Sequence, residues 1–285
     1  MKVSKPKIVI SGASGFTGRN LIHKLNQDKY EFLLLKRDSN SIIPKTLYNF
    51  QEIEFVNLGE TLKKKKYKNI QAVIHLATVY SRKENKLFEK DIWDANYFVG
   101  LSLLDMAISS NALFCHIESY LQYEKEPKTI YLESKLAFSE LVERERKKES
   151  ADILSLVFFD NYGNGDNRRK ILDELIGEKI KGNKIKLENP EKVIICSSIE
   201  DVCTAIIKAF NSRKVGRWRV NSDDKFYVQQ ISDFISNYPD VDKPLAIQSE
   251  IYKAEALELL DSFTKNINVF DYLDFKLRDL SKKQS

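Results

Sequence analysis

The sequence predicts an α/β fold in which a doubly wound parallel sheet is followed by a small C-terminal α/β lobe. Two observations lead to this prediction. Short runs of β-branched and other apolar residues alternate with stretches of helical apolar spacing, which is typical of βαβ units. Three of the ten glycines fall within seven residues, directly after the first apolar run. The 285 residues and a hydrophobic content of 42% are enough to bury a substantial core.

The first part of the chain supplies the parallel sheet. Its first strand is predicted at Lys7–Ser11, because a β-branched run of this length suits a buried strand, and a helix follows over residues 20–25. Further strands, each bounded by polar or turn residues, are predicted at 32–35, 53–56, 72–76, 113–117 and 153–159. The helices between them are predicted at 91–109 and 131–148.

The second part has shorter elements. After a turn-rich loop at 161–166, the pattern predicts helices at 169–181, 199–210 and 228–237, and strands at 184–187 and 218–220. We therefore expect a nucleotide-binding domain over residues 1–160, with later segments interleaved, and a lobe over 161–285 that mainly binds substrate. No Pro/Ser-rich linker and no internal repeat separates the two.

Composition argues against several classes of protein. Lys and Arg number 46 against 41 Asp and Glu, and this net charge of +5 is too dispersed for a nucleic-acid footprint. The three cysteines contain no CxxC pair and the three histidines lack metal-ligand spacing, so we expect neither disulfides nor a metal site. Because no long apolar run or signal peptide is present, we expect a cytoplasmic protein that binds no membrane.

The glycine cluster has the spacing GxxGxxG between a strand and a helix. In such a turn Gly12 allows the tight bend, Gly15 lets the backbone approach a pyrophosphate, and Gly18 permits close packing of the helix on the strand. A purely structural turn is the alternative. We interpret the segment as a Rossmann-type dinucleotide site whose cofactor-binding residues are Gly12, Ser14, Gly15, Phe16, Thr17 and Gly18.

The end of the second strand indicates which dinucleotide binds. An acidic residue at this point holds the ribose hydroxyl of NAD, whereas Arg accepts the phosphate of NADP. Here the strand ends in Lys36 and Arg37, and Asp38 comes too late to take the acidic position. Two cations suit a phosphate, so we predict NADP (NADPH). Asn57 and Leu58, at the end of the third strand, are predicted adenine contacts, although an ordinary strand-end Asn fits equally well.

A tyrosine and a lysine lie four residues apart in the predicted helix 131–148. This spacing puts Tyr131 and Lys135 on one helix face, where the ammonium favours phenolate and lowers the pKa of the phenol toward the working range. The pair is then a competent proton donor or acceptor for a carbonyl or an alcohol.

These features resemble an extended short-chain dehydrogenase/reductase of the nucleotide-sugar epimerase/dehydratase/reductase family. The GxxGxxG turn, VIHLA at 73–77, NYFVG at 96–100, the Tyr131/Lys135 pair and YGNGD at 162–166 with Arg168 match its motifs in order. The resemblance implies that Tyr131 and Lys135 are catalytic. It also implies a homodimer through a four-helix bundle and further cofactor contacts at Leu76, Ala77, Thr78 and Asn96. In that bundle the helices 91–109 and 131–148 would pair through Leu101, Leu104, Met106, Leu136, Phe138 and Leu141.

The loop before the tyrosine departs from the family pattern. Family members carry a catalytic Ser or Thr well upstream, but here Ser119 lies only twelve residues before Tyr131. This short loop is most similar to the paratose and abequose synthase type of 4-ketoreductase. Strict alignment would put Glu118 at the catalytic position instead; a carboxylate would repel a developing alkoxide, so we assign Ser119. Asp160 replaces the usual Asn, leaving Asn161 or the backbone to hold the sugar.

The resemblance therefore implies NADPH-dependent reduction of a nucleotide-linked 4-keto (di)deoxyhexose, for bacterial surface polysaccharide such as lipopolysaccharide O-antigen. The expected substrate contacts are Tyr80, Ser119, Asn161, Arg168 and Arg169. Two alternatives remain: a nucleotide-sugar 4-epimerase that retains NAD, and a non-catalytic NADP-sensing protein. A 4,6-dehydratase is disfavoured because no Asp-Glu pair follows Ser119.

Overall fold

A computed structural model describes residues 5–25, 29–36, 53–57, 68–80, 86–123, 129–148, 151–166, 168, 170–220, 224–238, 250–251 and 268–284. The chain divides into two compact units, Met1–Phe158 with Ile206–Arg219 and Phe159–Ala205 with Val220–Ser285. The predicted boundary at residue 160 lies close to the first of these divisions. The assignment of a cofactor to the first unit and a substrate to the second stays a prediction.

Seven strands form one sheet. They are β1 Lys7–Ser11, β2 Glu31–Lys36, β3 Ile53–Asn57, β4 Ile70–His75, β5 Leu113–Ser119, β6 Ile153–Phe158 and β10 Gly216–Val220. Their order is β10-β6-β5-β4-β1-β2-β3, and β1 to β6 are paired in parallel. The order runs outward from β1 and β4 in opposite directions, so these two strands flank the switch point where open α/β sheets bind ligands. The predicted doubly wound, Rossmann-type sheet is confirmed.

The helices of the first unit cover the sheet with apolar faces. They are α1 Phe16–Lys24, α2 Lys86–Trp93, α3 Val99–Ser109 and α4 Ile130–Lys147. The ring of Phe138 on α4 packs edge-on against Phe114 and His116 of β5 and against His75 of β4, with centroid separations of 5.4–6.3 Å. Gly100 on α3 lies so close to this ring that a Cβ there would come within 2.5 Å of it. These contacts fix α3 and α4 against the carboxyl half of the sheet.

The predicted helix at 91–109 is interrupted. It starts earlier, at Lys86, and residues Asp94–Phe98 form a π-helical turn between α2 and α3. Single π turns inside helices are frequent at functional sites. Here the turn brings Asn96 to a position that is 1% exposed.

The predicted dimer stripe is partly wrong. Leu104 and Phe138 are each 1% exposed and belong to the core of their own subunit, because they lie on the helix faces that pack against the sheet. The exposed apolar residues of this region are Phe98, at 52%, and Leu101, at 39%. Met106, Leu136 and Leu141 are partly buried. The homodimer itself stays a prediction.

The second unit has two small sheets and its own core. Its strands are β7 Asp160–Tyr162, β8 Val193–Ile194, β9 Cys196–Ser198, β11 Asp224–Tyr227 and β12 Glu250–Ile251, in the orders β7-β9 and β12-β11-β8. Its helices are α5 Ile171–Ile180, α6 Ile199–Asn211, α7 Val228–Ser236 and α8 Val269–Gln284, of which α6 continues into the first unit. Ile231 and Leu273 are at the centre of the core, at 0% exposure.

The predicted strand at 184–187 is wrong. These residues are irregular, although Ile185 and Leu187 pack against the core of the second unit as their alternation suggests. Alternation of apolar and polar residues indicates which side chains face a core. It does not show that the backbone pairs with a neighbouring strand. The ladder forms instead further along the chain, where Val193 and Ile194 pair with Tyr227 and Phe226.

Candidate functional site

The glycine turn has a left-handed first residue and a crowded third residue. Gly12 has φ +73°, and a Cβ there would lie 2.5 Å from the amide nitrogen of Ala77 in the loop after β4. A Cβ at Gly18 would lie 2.3 Å from the carbonyl oxygen of Gly12. Only glycine fits at either position, because the neighbouring atoms belong to the backbone and cannot rotate away. The turn and the loop after β4 are therefore in direct contact.

Gly15 is less crowded than the other two glycines. A Cβ there would meet only the carbonyl oxygen of Gly12, at 3.2 Å. Gly15 is also the N-cap of α1, and no side chain caps that helix end. The positive end of the α1 dipole, with no side-chain cap, favours an anion at this end of the helix. These residues fit the pyrophosphate of a dinucleotide, with Ser14 exposed and Phe16 buried beneath the turn.

The loop after β4 is tied to β1 by a buried hydroxyl. Ser11 Oγ is 2.7 Å from His75 Nδ1 and accepts a hydrogen bond from the amide of Ala77. The amide of Leu76 donates to the carbonyl of Ser11. Burial, followed by the nearby charge of Lys135, lowers the pKa of His75 well below its usual range, so the ring is neutral. His75 is a core histidine.

Asn96 connects that loop to the helix of the catalytic pair. Its side-chain oxygen accepts from Thr78 Oγ1 and from the amide of Val79, each at 2.9 Å. Its nitrogen donates to the carbonyl of Val79 and to Ser134 Oγ, and Ser134 in turn donates to the carbonyl of Tyr131. All four hydrogen-bonding sites of the side-chain amide face protein groups, so Asn96 bridges the loop and α4. Its assignment to the cofactor site stays a prediction.

Tyr131 and Lys135 lie in the first two turns of α4. The helix begins after Thr129, whose hydroxyl caps it by accepting from the amide of Leu132. Lys135 is 7% exposed, and its Nζ donates to the carbonyl of Ile117 near the end of β5 at 2.5 Å. Burial lowers the pKa of Lys135 to about 8, an effect that the charge of Glu118 opposes. The lysine therefore sits at the carboxyl end of β5, one helical turn from the tyrosine.

Tyr80 faces Tyr131 from the loop after β4. The two rings meet edge to face with centroids 5.0 Å apart, and Tyr80 is 58% exposed. An exposed aromatic ring beside the proposed proton donor is a suitable wall for a flat ligand. Thr78 is also exposed, and its hydroxyl is held by Asn96.

Ser119 and Glu118, the last two residues of β5, differ in exposure. Ser119 is partly exposed, and its amide donates to Gln122 Oε1, while Gln122 Nε2 donates to Ser139 Oγ on α4. Among the described residues Ser119 Oγ makes no hydrogen bond, so it is available to a substrate oxygen. Glu118 points into the protein and is 0% exposed. The pleat of the strand thus favours Ser119 over Glu118 as the substrate contact.

Several predicted cofactor and substrate residues cannot be placed. Arg37, Leu58 and Arg169 lie outside the described residues, and for Asn57 only the backbone is described. Lys36 is partly buried at the carboxyl end of β2, and its Cα is in register with that of Asn57 on β3. The expected adenine and phosphate contacts therefore come from adjacent strand ends.

In the second unit the two described substrate residues are linked to each other. Arg168 forms an ion pair with Asp166 and donates through Nη2 to the backbone carbonyl of Asn161 at 3.2 Å. Asn161 is buried, and its Oδ1 has no hydrogen-bond partner in the described part of the chain. Tyr162 and Tyr272 line a small cavity with it. This unit therefore presents an unsatisfied acceptor beside a charged guanidinium.

Three polar residues that organise the site were missed from the sequence. Ser134 and Gln122 support the positions of Tyr131 and Ser119 through hydrogen bonds, and no local pattern distinguishes them from other polar residues. Arg217 on β10 binds Glu118, from which it is separated by 99 residues. Arg217 lies one residue before the predicted strand 218–220, so no local pattern distinguished it, and its partner could not be read from the sequence.

The fold and these residues define a Rossmann-type nucleotide-binding protein with a tyrosine-lysine pair at the carboxyl edge of the sheet. Comparison with protein-family models identifies the family: residues 8–220 match the NAD dependent epimerase/dehydratase family. The chain belongs to this family, whose members are nicotinamide-dependent enzymes. The predicted resemblance is thereby confirmed.

Individual relatives agree with this assignment. The chain is 25% identical over 220 residues to CDP-abequose synthase of Salmonella typhimurium strain LT2, covering 75% of this chain and 73% of that protein. It is 29% identical over 189 residues to CDP-abequose synthase of Salmonella muenchen, covering 62% of this chain and 60% of that protein. Among solved structures, UDP-N-acetylglucosamine 4-epimerase of Methanobrevibacter ruminantium M1 matches with a TM-score of 0.77 at 15% identity, over 99% of this chain and all of that one.

The described helices and the acidic, His and Cys side chains bear on membranes and metals. Of the helices that the structure describes, none combines the length and apolar character needed to cross a membrane. In the same part of the chain, no group of three or more His, Cys, Asp or Glu side chains is arranged to hold a metal ion. Cys115, Cys196 and Cys203 are all free and buried.

Proposed function

We propose that this protein reduces a nucleotide-linked 4-keto (di)deoxyhexose to the 4-hydroxy sugar nucleotide, with NADPH as the reductant. One observation carries the proposal. The hydrogen bond from Lys135 Nζ to the carbonyl of Ile117 joins α4 to the end of β5. Ser119 ends this strand two residues after Ile117, and Tyr131 precedes Lys135 by one helical turn. The three predicted catalytic residues therefore lie at the same end of β5. This end is adjacent to β4, whose following loop contacts the glycine turn.

The roles of the side chains follow from their chemistry. The bound nicotinamide supplies the hydride. Tyr131 donates its phenolic proton to the oxygen of the ketone as that oxygen gains charge, and Ser119 donates a hydrogen bond to the same oxygen. Lys135, as a buried ammonium, favours the phenolate left by this transfer and holds the ribose hydroxyls of the cofactor. Tyr80 covers the reacting ring with its exposed face.

The substrate class is supported by two sets of observations. The curated relatives at 25% and 29% identity are CDP-abequose synthases, and the short segment between Ser119 and Tyr131 resembles that type of reductase. In the second unit, Arg168 offers a guanidinium suited to a diphosphate, and Asn161 offers an acceptor for a ligand N–H or O–H. A role in bacterial surface polysaccharide synthesis follows from this substrate class.

The preference for NADPH is supported by Lys36 and Arg37. Two cations at the end of β2 match a phosphate better than a hydroxyl, and no acidic residue holds that position. A phosphorylated, exchangeable cofactor favours a reductase over an enzyme that retains NAD. A nucleotide-sugar 4-epimerase is the second candidate, since the fold is shared with such an enzyme; a non-catalytic NADP sensor is a third, opposed by the presence of both Tyr131 and Lys135.

The test is turnover of NADPH with CDP- and dTDP-linked 4-keto-6-deoxyhexoses. A reductase consumes NADPH stoichiometrically, an epimerase interconverts sugars without net consumption, and a sensor binds NADPH without turnover. In the reductase, Tyr131→Phe retains NADPH binding and loses roughly 10²–10⁴ in turnover, the usual contribution of a positioned general acid. Ser119→Ala loses about 10²-fold, as for a lost oxyanion donor.

Matched controls separate these effects from damage to the fold. Tyr97→Phe keeps a ring that packs against Phe138, and Ser102→Ala removes a hydroxyl that bonds only within α3 and its preceding turn. Both controls retain full turnover. A fully active Tyr131→Phe would contradict the reductase assignment, and a fully active Ser119→Ala would remove Ser119 from the mechanism.

A further inference from the structure

A carboxylate is buried immediately before the predicted catalytic serine. Glu118 on β5 is completely shielded from solvent and has three polar neighbours. His116 Nε2 lies 3.3 Å from Oε1, Arg217 Nη2 donates to Oε1 at 3.3 Å, and the hydroxyl of Tyr123 donates to Oε2. Arg217 Nε is a further 3.1 Å ion-pair contact with Oε2. The substrate cannot reach this side chain, so its charge must act on the protein.

The partners of Glu118 hold it rigidly from two directions. Arg217 reaches it from β10, at the edge of the sheet beyond β6, and its guanidinium also lies over the ring of Tyr123, 5.7 Å from the centroid. Tyr123 follows Ser119 in the short 3-10 helix Tyr120–Tyr123. Arg217, Glu118 and Tyr123 therefore close a ring of contacts around the segment that carries Ser119.

A second cation at this strand end is Lys135, the predicted catalytic lysine. Lys135 Nζ is bonded to the carbonyl of Ile117, which is the peptide group leading into Glu118. The carbonyl is a dipole and carries no net negative charge that could offset the charge of the ammonium. Burial by itself favours the neutral amine, so a protonated Lys135 needs an anion close by.

The other groups packed around Lys135 do not supply that anion. His75 on β4 and His116 on β5 are buried, and burial lowers the pKa of each, so both are neutral at neutral pH. The π turn presents the uncharged Asn96 and Tyr97 to α4, and Tyr131 is a phenol. Arg217 is a cation. Among the described residues, Glu118 is the one whose negative charge raises the pKa of Lys135, and it directly follows Ile117, to which the lysine is bonded.

We propose that Glu118 is a positioning residue of the active site: held by Arg217 and Tyr123, its carboxylate keeps the buried ammonium of Lys135 protonated where the cofactor ribose binds. The inference rests on the proposed function for the role of Lys135 toward the cofactor. It assigns to Glu118 a task in the same site without any contact with substrate or cofactor.

The energetics favour a functional reason for this pair. Replacing a buried ion pair by neutral side chains of similar volume is often neutral or stabilising, because removing two charges from water is costly. The Glu118–Arg217 pair is therefore weak evidence for a purely stabilising role. Its benefit is a fixed negative charge at the strand end, inside a region of low polarity where that charge acts strongly on Lys135.

The primary test measures NADPH binding against pH by fluorescence titration, using the wild-type protein and Glu118→Gln. Wild-type affinity falls as Lys135 loses its proton, near pH 8. Glu118→Gln keeps the shape and removes the charge, so the midpoint of this fall moves down by about one pH unit, as expected for loss of a nearby opposite charge. Glu118→Asp restores most of the shift, and Arg217→Gln, which keeps the carboxylate, does not lower the midpoint.

A matched control removes a carboxylate from an ion pair elsewhere. Asp152 binds Arg213 at 2.9 Å with both side chains about half exposed, so Asp152→Asn leaves the midpoint unchanged. An unshifted midpoint in folded Glu118→Gln would overturn the proposal. Equal downward shifts in Glu118→Gln and Arg217→Gln would also overturn it, since they would indicate a loosened strand end instead of a lost charge. If Glu118→Gln does not fold, the double variant Glu118→Gln/Arg217→Met replaces it and is compared with Arg217→Met; its midpoint lies below that of the single variant.

A second measurement needs no cofactor. A double-mutant cycle of unfolding equilibria between Glu118→Gln and Lys135→Met at neutral pH gives the coupling of the two side chains directly. The proposal expects roughly tenfold coupling in the unfolding constant, the equivalent of one pH unit. Additive effects would refute it. If the wild-type protein binds neither NADPH nor NADH, the proposed function fails, and this cycle still decides whether Glu118 controls Lys135.

Discussion

Gly15, the second glycine of the turn, allows cofactor binding to be tested separately from folding. Substitution by alanine adds one methyl group, which we expect to weaken binding without destabilising the fold. Gly15 has φ −71° and ψ 171°, an extended conformation that any residue adopts. A methyl group there meets only the carbonyl oxygen of Gly12, at 3.2 Å, and needs a shift of a few tenths of an ångström. Alanine also reduces the entropy of the unfolded chain. We therefore expect Gly15→Ala to change the free energy of unfolding by less than about 1 kcal/mol.

The two flanking glycines are the controls. Alanine at Gly18 places a carbon 2.3 Å from the Gly12 carbonyl oxygen and 2.7 Å from the Cα of Ala13. Alanine at Gly12 clashes with the backbone of Ala77 at 2.5 Å and adds a left-handed φ of +73°, which alone costs about 1–2 kcal/mol. Both substitutions overpack backbone atoms, so each destabilises the fold by roughly 2–4 kcal/mol.

Urea unfolding followed by circular dichroism and titration with NADPH measure the two effects. Gly15→Ala should unfold like the wild type and bind NADPH at least tenfold more weakly, a loss of about 1.4 kcal/mol or more, because its methyl group occupies the approach to the first turn of α1. Wild-type affinity in Gly15→Ala would refute the placement of the pyrophosphate at this turn. Wild-type stability in Gly18→Ala would refute the packing argument itself.

Three further predictions concern the cofactor, the buried lysine and assembly. Arg37→Asp should weaken NADPH binding at least tenfold, about 1.4 kcal/mol, and leave NADH nearly unchanged; equal dissociation constants of the wild type for the two cofactors would contradict the preference. Since burial lowers the pKa of Lys135 from 10.5 to about 8, the charged side chain destabilises the folded state below pH 8 by up to ~3 kcal/mol. Lys135→Met should therefore be more stable than the wild type at neutral pH, by an amount that shrinks as the pH rises from about 8 to 10.5 and disappears above it; a gain independent of pH would point to packing instead of charge. Light scattering should give twice the chain mass of 33.1 kDa at micromolar concentration, and Leu101→Glu should give the monomer; a wild-type monomer would exclude the dimer.

In the shortened loop before Tyr131, alignment with the family motif does not by itself identify the catalytic residue. Family spacing left Ser119 and Glu118 as alternatives, and the electrostatic argument favoured the serine. The pleat of β5 gives the same preference for an independent reason, because it buries the carboxylate and leaves the hydroxyl partly exposed. The catalytic assignment of Ser119 stays a prediction until the variants are measured.

Features that depend on neighbours along the chain could be predicted from the amino-acid sequence. The GxxGxxG turn, the alternation of strands and helices, and the four-residue spacing of Tyr131 and Lys135 are all local, because strand and helix periodicity place such residues without reference to distant parts. Family membership followed from the order of these local motifs.

Contacts between residues that are distant in the sequence depend on the tertiary structure. It brought Arg217 to Glu118 across 99 residues, and it saturated the amide of Asn96 with groups from the loop after β4 and from α4. It also turned Phe138 inward, away from the predicted dimer face. A periodic pattern shows that a residue faces a core or a neighbour, but the partner depends on how strands are ordered and packed, and that order is not encoded in any local window of the chain.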